Sequence, residues 1–451
     1  MKKIIPQKLK NYYHLLQAVV ANIWYGFPAR NASRSDTGGP SHKIKIIGVT
    51  GTNGKTTTTQ MIGRILEGAG HRVAVASTIN FKIADKVWVN KTKFTTLSSF
   101  AVQKFIRQAV EAKCQYAVLE TSSHALDQFR VWGVAYDTAV MTNVTREHLD
   151  YHKNMEQYRI AKLKLFERIK KAVVNFDMED AEDYLDAPAE KKYAFSTKVE
   201  AQIKNEDDDR EKIKLIKATD VELEINQSRF KVAGVPFELK MPGLFNVENA
   251  LAAISVGISV GVPMEKMRQA LAKMTGVPGR MEHIQNDRGI NIIVDYAVTP
   301  DSLEKLYALI SQIKCGPKRT MELAEAVASN KVIAVFGSCG DRDRGKRPLM
   351  GAIVDKCADY IILTNEDPYT EDPWQIINEV AAGIIEKKEG SNFWRIMDRR
   401  AAIQKALQLA AVGDIIVVTG KGAEETMMMG DKQIPWNDKK VILEELGKMK
   451  K

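Results

Sequence analysis

A glycine-rich turn between an apolar strand and a helix constrains the fold of this chain more than any other feature. Residues 48–56 read GVTGTNGKT, residues 43–50 predict a strand, and residues 55–69 predict a helix. Glycines let backbone N–H groups close around phosphate oxygens, and the helix N-terminus favours negative charge. The pattern predicts a phosphate-binding loop in which Lys55 reaches the β- and γ-phosphates and the Thr56 hydroxyl reaches Mg²⁺. It departs from the strict pattern at Val49, where glycine is usual.

Strand and helix patterns alternate along the rest of the chain, which predicts an α/β fold with a mostly parallel sheet. Further strands are expected at 72–77, 116–121, 136–142, 290–296, 332–336, 360–364 and 414–419. Residues 212–241 alternate apolar and polar side chains and predict an antiparallel ribbon, and residues 246–260 predict a helix. The expected organisation is an N-terminal apolar helix and linker at 1–42, a P-loop-containing ATPase domain at 43–279 and a smaller Rossmann-like domain at 280–451.

Composition excludes several classes of protein. The formal net charge of +10 favours anionic ligands such as nucleotides, but no basic patch is interleaved with aromatic residues, so no nucleic-acid partner is expected. The cysteines are scattered and form no Cys-x-x-Cys pair, which argues against a zinc site or a disulfide framework and fits a reducing cytoplasm. They are Cys114, Cys315, Cys339 and Cys357.

The first 27 residues leave two interpretations open. A lysine-rich start precedes a mostly apolar run at 12–27, which is shorter than the about 20 residues of a membrane span and contains His14, Gln17 and Asn22. No convincing signal-peptide cleavage site follows. The run is either a helix packed on the body of the protein or an amphipathic helix on a membrane surface, for which Trp24 and Tyr25 would suit the interface.

Seven further motifs follow the phosphate loop in order, and together they resemble the Mur ligases, which build the peptide of bacterial cell-wall precursors. They read ETSSHAL at 120–126, TNVTREHLD at 142–150, AK at 161–162, NVENA at 246–250, GRME at 279–282, DYA at 295–297 and GDRDRGKRP at 340–348. With GKG at 420–422, the resemblance is greatest to the tripeptide synthetase type of the family. It implies an ATP- and Mg²⁺-dependent ligase that joins a carboxylate to an amine through an acyl phosphate.

The resemblance also assigns roles to individual residues. It implies catalytic roles for Lys55, Glu120, His148 and Lys162, with Thr56, Glu120, His148 and a CO₂-carbamylated Lys162 holding metal. ATP contacts are implied for Gly51, Thr52, Asn53, Gly54, Lys55, Thr56, Thr57, Asn249, Arg280 and Asp295. Contacts to the precursor are implied for Thr95, Thr96, Ser122, Gln128 and Arg130, whose guanidinium suits a carboxylate. Contacts to the incoming amino acid are implied for Arg342, Glu366, Asp367, Tyr369, Gly420 and Glu424.

Three departures from the family pattern affect the substrates. Only 42 residues precede the first strand, where family members carry a domain that grips UDP. The usual Asp-Asn-Pro-Arg of the diaminopimelate enzymes reads EDPY at 366–369, so Tyr369 replaces the arginine that would clamp a carboxylate. At two positions where the family pattern usually has histidine, this chain has Val298 and Ala423. Diaminopimelate is therefore not the expected acceptor.

The expected partners are a UDP-muramoyl-peptide-like precursor and an amino acid, used by a cytoplasmic monomer with or without membrane contact through residues 12–27. Two alternatives remain at this stage. One is a related ligase with a different acceptor, for example a lipid-linked one, which the N-terminal apolar run would suit. The other is a non-catalytic ATP-binding scaffold for wall synthesis, against which the intact Glu120, His148 and Lys162 argue.

Overall fold

The structure is a computed structural model that describes residues 6–30, 43–92, 94–203, 213–224, 226–315 and 330–449. The chain divides into two compact units. Unit 1 contains residues 1–145 and 152–275, and unit 2 contains residues 146–151 and 276–451. The two lysines at positions 2 and 3 and most of the predicted linker lie outside the described residues.

These units differ from the predicted domains in three places, one of which is the boundary at 275–276 rather than 279–280. The N-terminal helix belongs to unit 1, because it packs against another helix of that unit. Residues 146–151 group with unit 2, because Arg146 and Glu147 make ion pairs with Asp343 and Lys346.

Unit 1 is built on an 11-stranded sheet with the order β11-β10-β9-β8-β7-β6-β1-β5-β2-β3-β4. The phosphate-loop strand β1 lies between β6 and β5 and is parallel to both. The strands are β1 (Lys45–Thr50), β2 (Val73–Ala76), β3 (Asn80–Ile83), β4 (Lys86–Val89), β5 (Tyr116–Glu120), β6 (Tyr136–Met141), β7 (Lys171–Asn175), β8 (Lys191–Ser196), β9 (Lys214–Leu223), β10 (Ser228–Val232) and β11 (Val235–Leu239).

Helices cover this sheet, as a parallel sheet requires if both of its faces are to be buried. They are α1 (Gln7–Trp24), α2 (Lys55–Gly68), α3 (Ser99–Glu111), α4 (Ser123–Asp127), α6 (Met155–Leu163), α7 (Ala181–Leu185), α8 (Leu244–Ser259) and α9 (Met264–Ala272), whereas the four-residue helix α5 (Leu149–His152) belongs to unit 2 except for His152. The central strands are apolar on both faces, and Ile46, Ile47, Val118 and Val140 are fully buried. The long apolar helix α8 packs against α2 and against β7 and β8.

Unit 2 has a six-stranded sheet with the order β12-β13-β17-β14-β15-β16, in which only β12 pairs antiparallel. These strands are β12 (Glu282–Ile284), β13 (Asn291–Asp295), β14 (Val332–Phe336), β15 (Tyr360–Leu363), β16 (Phe393–Arg395) and β17 (Ile415–Thr419), with a separate hairpin of β18 (Thr426–Met429) and β19 (Lys432–Pro435). Its helices are α10 (Pro300–Cys315), α11 (Lys346–Cys357), α12 (Pro373–Ala381), α13 (Arg399–Leu409) and α14 (Asp438–Lys448).

The predicted α/β class is confirmed, and every strand predicted from an apolar run is present within two residues of its expected ends. The predicted ribbon at 212–241 is also present, but it is not a separate layer. Its first strand β9 pairs parallel with β8, so β9 to β11 extend the main sheet at one edge. Short strands such as β3, β4 and β16 were not predicted, since three or four residues carry too little periodicity to detect.

Candidate active site

The phosphate loop has the backbone that its glycines predict. Gly54 is the N-cap of α2 with φ of +80°, and Gly51 has φ of +152°. A Cβ atom on Gly54 would lie 2.2 Å from Asn249 Oδ1, and one on Gly51 would lie 1.9 Å from Thr142 Oγ1. Both positions therefore require glycine on two grounds, backbone conformation and space.

The end of β6 holds this loop in shape. Asn143 Oδ1 accepts a hydrogen bond from Asn53 N at 2.8 Å, and the Thr142 hydroxyl donates to Asn53 O at 2.6 Å. Thr52 N donates to Asn143 O at 2.9 Å. Lys55 Nζ donates to Gly51 O at 3.0 Å and Thr52 O at 2.8 Å. These hydrogen bonds hold the loop in one conformation around the Lys55 side chain.

A buried carboxylate stands beside the start of α2. Glu120 is the last residue of β5 and is 3% exposed. Both of its carboxylate oxygens accept from the Thr56 hydroxyl at 3.1 Å, and it also accepts from Thr78 N at 2.7 Å and Thr78 Oγ1 at 2.9 Å. Hydroxyl and carboxylate oxygens are the hard ligands that Mg²⁺ prefers. The donor set of Thr56 and Glu120 therefore fits that ion.

Lys162 is buried near the end of α6, with 1% of its surface exposed. Its Nζ lies 4.3 Å from the centroid of the Tyr158 ring, one helical turn earlier. The Tyr158 hydroxyl is 3.1 Å from Thr52 Oγ1 in the phosphate loop. Burial lowers the pKa of Lys162 well below its ordinary value, and the positive charge of Lys55 lowers it further. The environment therefore favours a neutral amine at this position.

A pair of histidines packs behind Tyr158. The His152 ring lies 5.1 Å from the Tyr158 ring and 5.3 Å from the His124 ring, measured between centroids. His152 Nε2 is 3.0 Å from Ser123 Oγ. Burial lowers the pKa of His152 to about 4, so its ring is neutral at physiological pH. It supports the lysine site as a packed, uncharged side chain.

The residues expected to hold the precursor lie close to Glu120. Thr96 Oγ1 donates to Glu120 O at 3.0 Å and accepts from Ser122 N at 2.8 Å, and Arg130 donates from Nη1 to Thr96 O at 2.8 Å. Ser122 caps helix α4. Thr95 adjoins Thr96 in sequence, and Gln128 is the C-cap of α4. This group and the phosphate-loop group therefore meet at the end of β5.

The chemistry-bearing side chains of unit 2 follow its parallel strands. Because β13, β17, β14 and β15 run parallel, the residues that follow them gather at one edge of the sheet, where ligands of such sheets bind. The loop after β14 carries Arg342, the loop after β15 carries residues 366–369, and the loop after β17 carries Gly420 and Glu424. Asp341, Asp367 and Tyr369 have φ of +52°, +37° and +50°. Such left-handed backbone is costly for non-glycine residues and concentrates at functional sites.

Two residues with an expected ATP contact adjoin β13. Asp295 ends that strand and accepts from Met281 N at 2.7 Å. Burial raises the pKa of Asp295, against the opposing charge of Arg280. The Arg280 guanidinium carbon lies 4.3 Å from the centroid of the Tyr296 ring. His148 also belongs to unit 2, with φ of +58° and its Nδ1 3.8 Å from Glu147 Oε1.

Three of the expected amino-acid contacts, Glu366, Asp367 and Glu424, lie near the buried Lys421. Lys421, 0% exposed, donates to Asp367 Oδ2 at 2.7 Å and pairs with Glu424. Glu366 lies against Gly420, where a Cβ atom would be 2.1 Å from Glu366 Oε2. That oxygen has no hydrogen-bond partner among the described residues. Burial raises the pKa of Glu366 to about 7.

Arg342 and Tyr369 face each other across this edge of the sheet. The Arg342 guanidinium carbon is 5.6 Å from the centroid of the Tyr369 ring, within cation–π range. Tyr369 therefore places an aromatic ring where the family pattern has an arginine, and this ring contacts the guanidinium of Arg342.

Two family models match this chain in succession. The model of the Mur ligase middle domain matches residues 49–257, and the model of the Mur ligase glutamate ligase domain matches residues 279–422. The chain belongs to the Mur ligase family. It is an ATP-dependent ligase that forms an amide bond.

Individual relatives support this assignment over most of the chain. The UDP-N-acetylmuramoyl-L-alanyl-D-glutamate–2,6-diaminopimelate ligase of Syntrophomonas wolfei is 37% identical over 423 residues, which cover 92% of this chain and 80% of the relative. The UDP-N-acetylmuramyl-tripeptide synthetase of a Roseiflexus species is 38% identical over 422 residues, covering 89% and 78%. A solved structure of a diaminopimelate ligase of this kind aligns with a TM-score of 0.58 and 30% identity, covering 99% of this chain and 84% of the other.

In this Mur ligase the expected site residues fall into two groups, one in each unit. Unit 1 brings together Lys55, Thr56, Glu120 and Lys162 with the expected precursor residues, and unit 2 gathers His148, Arg280, Asp295 and the amino-acid residues. No group of three or more His, Cys, Asp or Glu side chains within the described ranges forms a metal cluster by itself.

Four contributors to the Mur ligase site were not predicted from the sequence. Asn143 and Thr142 shape the phosphate loop, although both stood in a quoted motif, and Thr78 donates twice to Glu120. Tyr158 joins Lys162 to the loop. Its spacing of four residues from Lys162 on one helix was the available signal, since such residues share a face.

Proposed function

We propose that this Mur ligase adds an amino acid to a UDP-N-acetylmuramoyl-dipeptide-like cell-wall precursor. The observation that carries the proposal is the buried Glu120 carboxylate, which is bonded on one side to the Thr56 hydroxyl of the phosphate loop. On its other side Thr96 binds the Glu120 backbone and connects it to Ser122 and Arg130. The end of β5 would thus contribute both to the ATP site and to the site for the precursor carboxylate. The names of the relatives point to the same substrate class.

Mg²⁺ is the metal that the oxygens of Thr56 and Glu120 fit, with His148 and carbamylated Lys162 completing the proposed ligand set. Bound there, Mg²⁺ would neutralise phosphate charge during transfer. Lys55 would bind the β- and γ-phosphates, together with backbone N–H groups of Gly51, Thr52, Asn53, Gly54 and Thr57. Asn249, Arg280 and Asp295 are the further proposed ATP contacts.

Carbamylation of Lys162 is favoured by its surroundings. The neutral amine attacks the carbon of CO₂, so that an N–C bond forms as one C–O π bond breaks onto oxygen. The nitrogen then loses one proton to water, which leaves a carbamate with one negative charge. Burial and Lys55 lower the pKa of Lys162, so the nucleophilic neutral form is available without a dedicated base. The product places a negative charge beside Lys55, whose positive charge disfavours a protonated Lys162 but attracts the carbamate.

The two proposed steps then use groups on this chain. The precursor carboxylate, held by Arg130 with Thr95, Thr96, Ser122 and Gln128, attacks the γ-phosphorus. The bond from that phosphorus to the bridging oxygen breaks, and ADP leaves. The amine of the incoming amino acid attacks the acyl carbon, loses a proton, and expels phosphate to leave an amide. Holding both reactants in place supplies most of the rate enhancement that such a transfer needs.

The acceptor is proposed to be an amino acid other than diaminopimelate. Arg342 would bind the carboxylate of the amino acid, and Tyr369 offers no second cation for a distal carboxylate. Asp367 and Glu424 are acidic and are paired with Lys421, and Glu366 adds a further buried carboxyl beside Gly420. A distal carboxylate would lose a bidentate partner and meet acidic neighbours instead.

The enzyme is proposed to work in the cytoplasm as a monomer, with residues 12–27 available for contact with a membrane surface. A lipid-linked precursor in place of the UDP-linked one is the second candidate, and the apolar start of the chain is the observation that favours it.

Activity can be tested by measuring phosphate release from ATP with UDP-N-acetylmuramoyl-dipeptide and each amino acid in turn, with mass spectrometry of the products. We expect an amide product whose formation requires Lys55. Lys55→Ala should reduce turnover at least about a hundredfold, since it removes a charge-assisted phosphate contact that strengthens in the transition state. The matched control is Lys273→Ala at an exposed position, which should keep wild-type turnover.

Three outcomes would contradict parts of this proposal. ATP binding without turnover on any precursor would support the alternative of a non-catalytic scaffold. Turnover only on lipid-linked precursors would replace the UDP carrier. A kcat/KM for diaminopimelate above that for lysine and other amino acids would refute the proposed acceptor class.

A further inference from the structure

Helix α1 turns its large apolar side chains away from the protein. Its buried residues are the small Ala18 and Ala21 together with Asn22. Seven large apolar side chains on the helix are instead between 44% and 76% exposed: Leu9, Tyr12, Tyr13, Leu16, Val20, Ile23 and Trp24. This is the reverse of the usual surface helix, whose apolar stripe faces the core.

The seven side chains form one continuous face, which we call the outer face of α1. Their spacings of three and four residues place them within an arc of about 120° at 3.6 residues per turn. Ala18 and Asn22 lie on the opposite side of the same helix. The outer face therefore has no polar side chain within it and is too regular to be a chance scatter of exposed residues.

Specific contacts fix the helix in this orientation. Asn22 Nδ2 donates to Trp132 O at 2.8 Å, and a Cβ atom on Gly133 would lie 2.4 Å from that amide nitrogen. Nearer the start of the helix, Asn11 Nδ2 donates to Asp127 O and Oδ2 at 3.2 Å each. Rotating α1 to bury the outer face would break these bonds and push large side chains into the space that Ala18 fills.

Charge indicates what covers the outer face. Six basic residues and no acidic residue precede Asp36 in the sequence. Lys8 and Lys10 belong to the first turns of α1 and are exposed, and no acidic residue lies within the helix. An apolar face bordered by lysines and carrying Trp and Tyr suits the interface of an anionic bilayer. Two copies of the same positively charged segment would instead repel each other.

We propose that the outer face of α1 docks this ligase on the surface of a bilayer that contains anionic phospholipid. The helix lies in the plane of the interface, with the outer face in the acyl-chain boundary and the lysines at the headgroups. Among the described residues no helix has the length and apolar character needed to span a membrane. The attachment is therefore peripheral and reversible, and it is independent of the substrate proposed above.

The test is co-sedimentation of the full-length protein with phosphatidylcholine vesicles that contain or lack phosphatidylglycerol. We expect binding only to the anionic vesicles, release at high salt because the lysine contacts are screened, and a blue shift of Trp24 fluorescence that Trp24→Phe removes. The double variant Leu16→Asp, Ile23→Asp should bind at least about tenfold more weakly, since two apolar side chains leave the bilayer.

Ile385→Asp with Val412→Asp is the matched control, because these apolar residues are 85% and 78% exposed elsewhere on the chain. This control should bind as tightly as the wild type. Equal thermal unfolding midpoints would show that both variants are folded. Equal binding to neutral vesicles would overturn the anionic assignment. Absence of vesicle binding would overturn the proposal as a whole, and self-association abolished by Leu16→Asp, Ile23→Asp would assign the outer face to a second copy.

Discussion

Tyr158 is the residue that physically connects the lysine site to the phosphate loop. Its ring lies under the Lys162 amine and its hydroxyl contacts Thr52, so it can transmit the position of one group to the other.

Two substitutions at Tyr158 should separate these contacts. Tyr158→Phe removes only the hydroxyl, and we expect the KM for ATP to rise by about two- to tenfold, the value of one net hydrogen bond. Tyr158→Leu also removes the ring and should impair carbamylation, so that turnover becomes dependent on added bicarbonate. Steady-state kinetics with and without bicarbonate measure both effects. Identical behaviour of the two variants would show that the ring does not position Lys162.

At this scale the sequence predicted residue types better than residue contacts. Glu120 and Thr56 were predicted to share a metal, and they are hydrogen-bonded across 64 positions of sequence. The spacing of motifs could not reveal that Thr78 donates two hydrogen bonds to Glu120. Thr78 lies in the turn between β2 and β3, and the conformation of that turn decides where its side chain lies. The roles assigned to individual site residues stay predictions.

At the scale of the element, the junction of β1 and α2 depends on two glycines in special conformations. Gly54→Ala should destabilise the protein and weaken nucleotide binding, since the substitution adds left-handed strain of about 1–2 kcal/mol and a clash with Asn249. Gly70→Ala is the matched control, because Gly70 lies just beyond the other end of α2 and also has a positive φ (+96°), but has open space around its Cβ position.

Chemical denaturation and ATP titration of the two variants would distinguish strain from collision. We expect both variants to lose stability from strain, with the larger loss for Gly54→Ala, and only Gly54→Ala to lose affinity for ATP. If Gly70→Ala were equally damaging in both measurements, the collision with Asn249 would not be the cause.

Periodicity predicted the buried strands because each one is apolar on both faces, which leaves a continuous signal in the sequence. It could not predict the orientation of α1. An apolar stripe on a helix normally marks the face toward the core, and here small residues and two asparagines make the contacts to the body instead. That reversal is decided by fit against α3 and the Trp132 carbonyl, which no local pattern encodes.

For the whole molecule, the two sheets share one design. Both place strands that are apolar throughout in the interior and leave polar, strained or glycine-containing residues to follow their carboxyl ends. In unit 1 these residues are the phosphate loop and Glu120, and in unit 2 they are the loops after β13, β14, β15 and β17. The arrangement places buried carboxyl groups such as Glu120 and Glu366 at these strand ends, and other buried titratable residues should also make the stability of the fold depend on pH.

His152 should be one of these residues. Burial lowers its pKa from 6.5 to about 4, so the unfolded chain binds more protons than the folded one between those values. The stability associated with neutral His152 is therefore present above pH 6.5 and is lost as the pH falls toward 4, with a slope of at most about 1.4 kcal/mol per pH unit. His152→Gln should make the urea midpoint fall less steeply from pH 7 to pH 5. His283→Gln, at an exposed histidine of unit 2, should leave that slope unchanged. An unchanged slope in His152→Gln would mean that folding does not lower the pKa of His152.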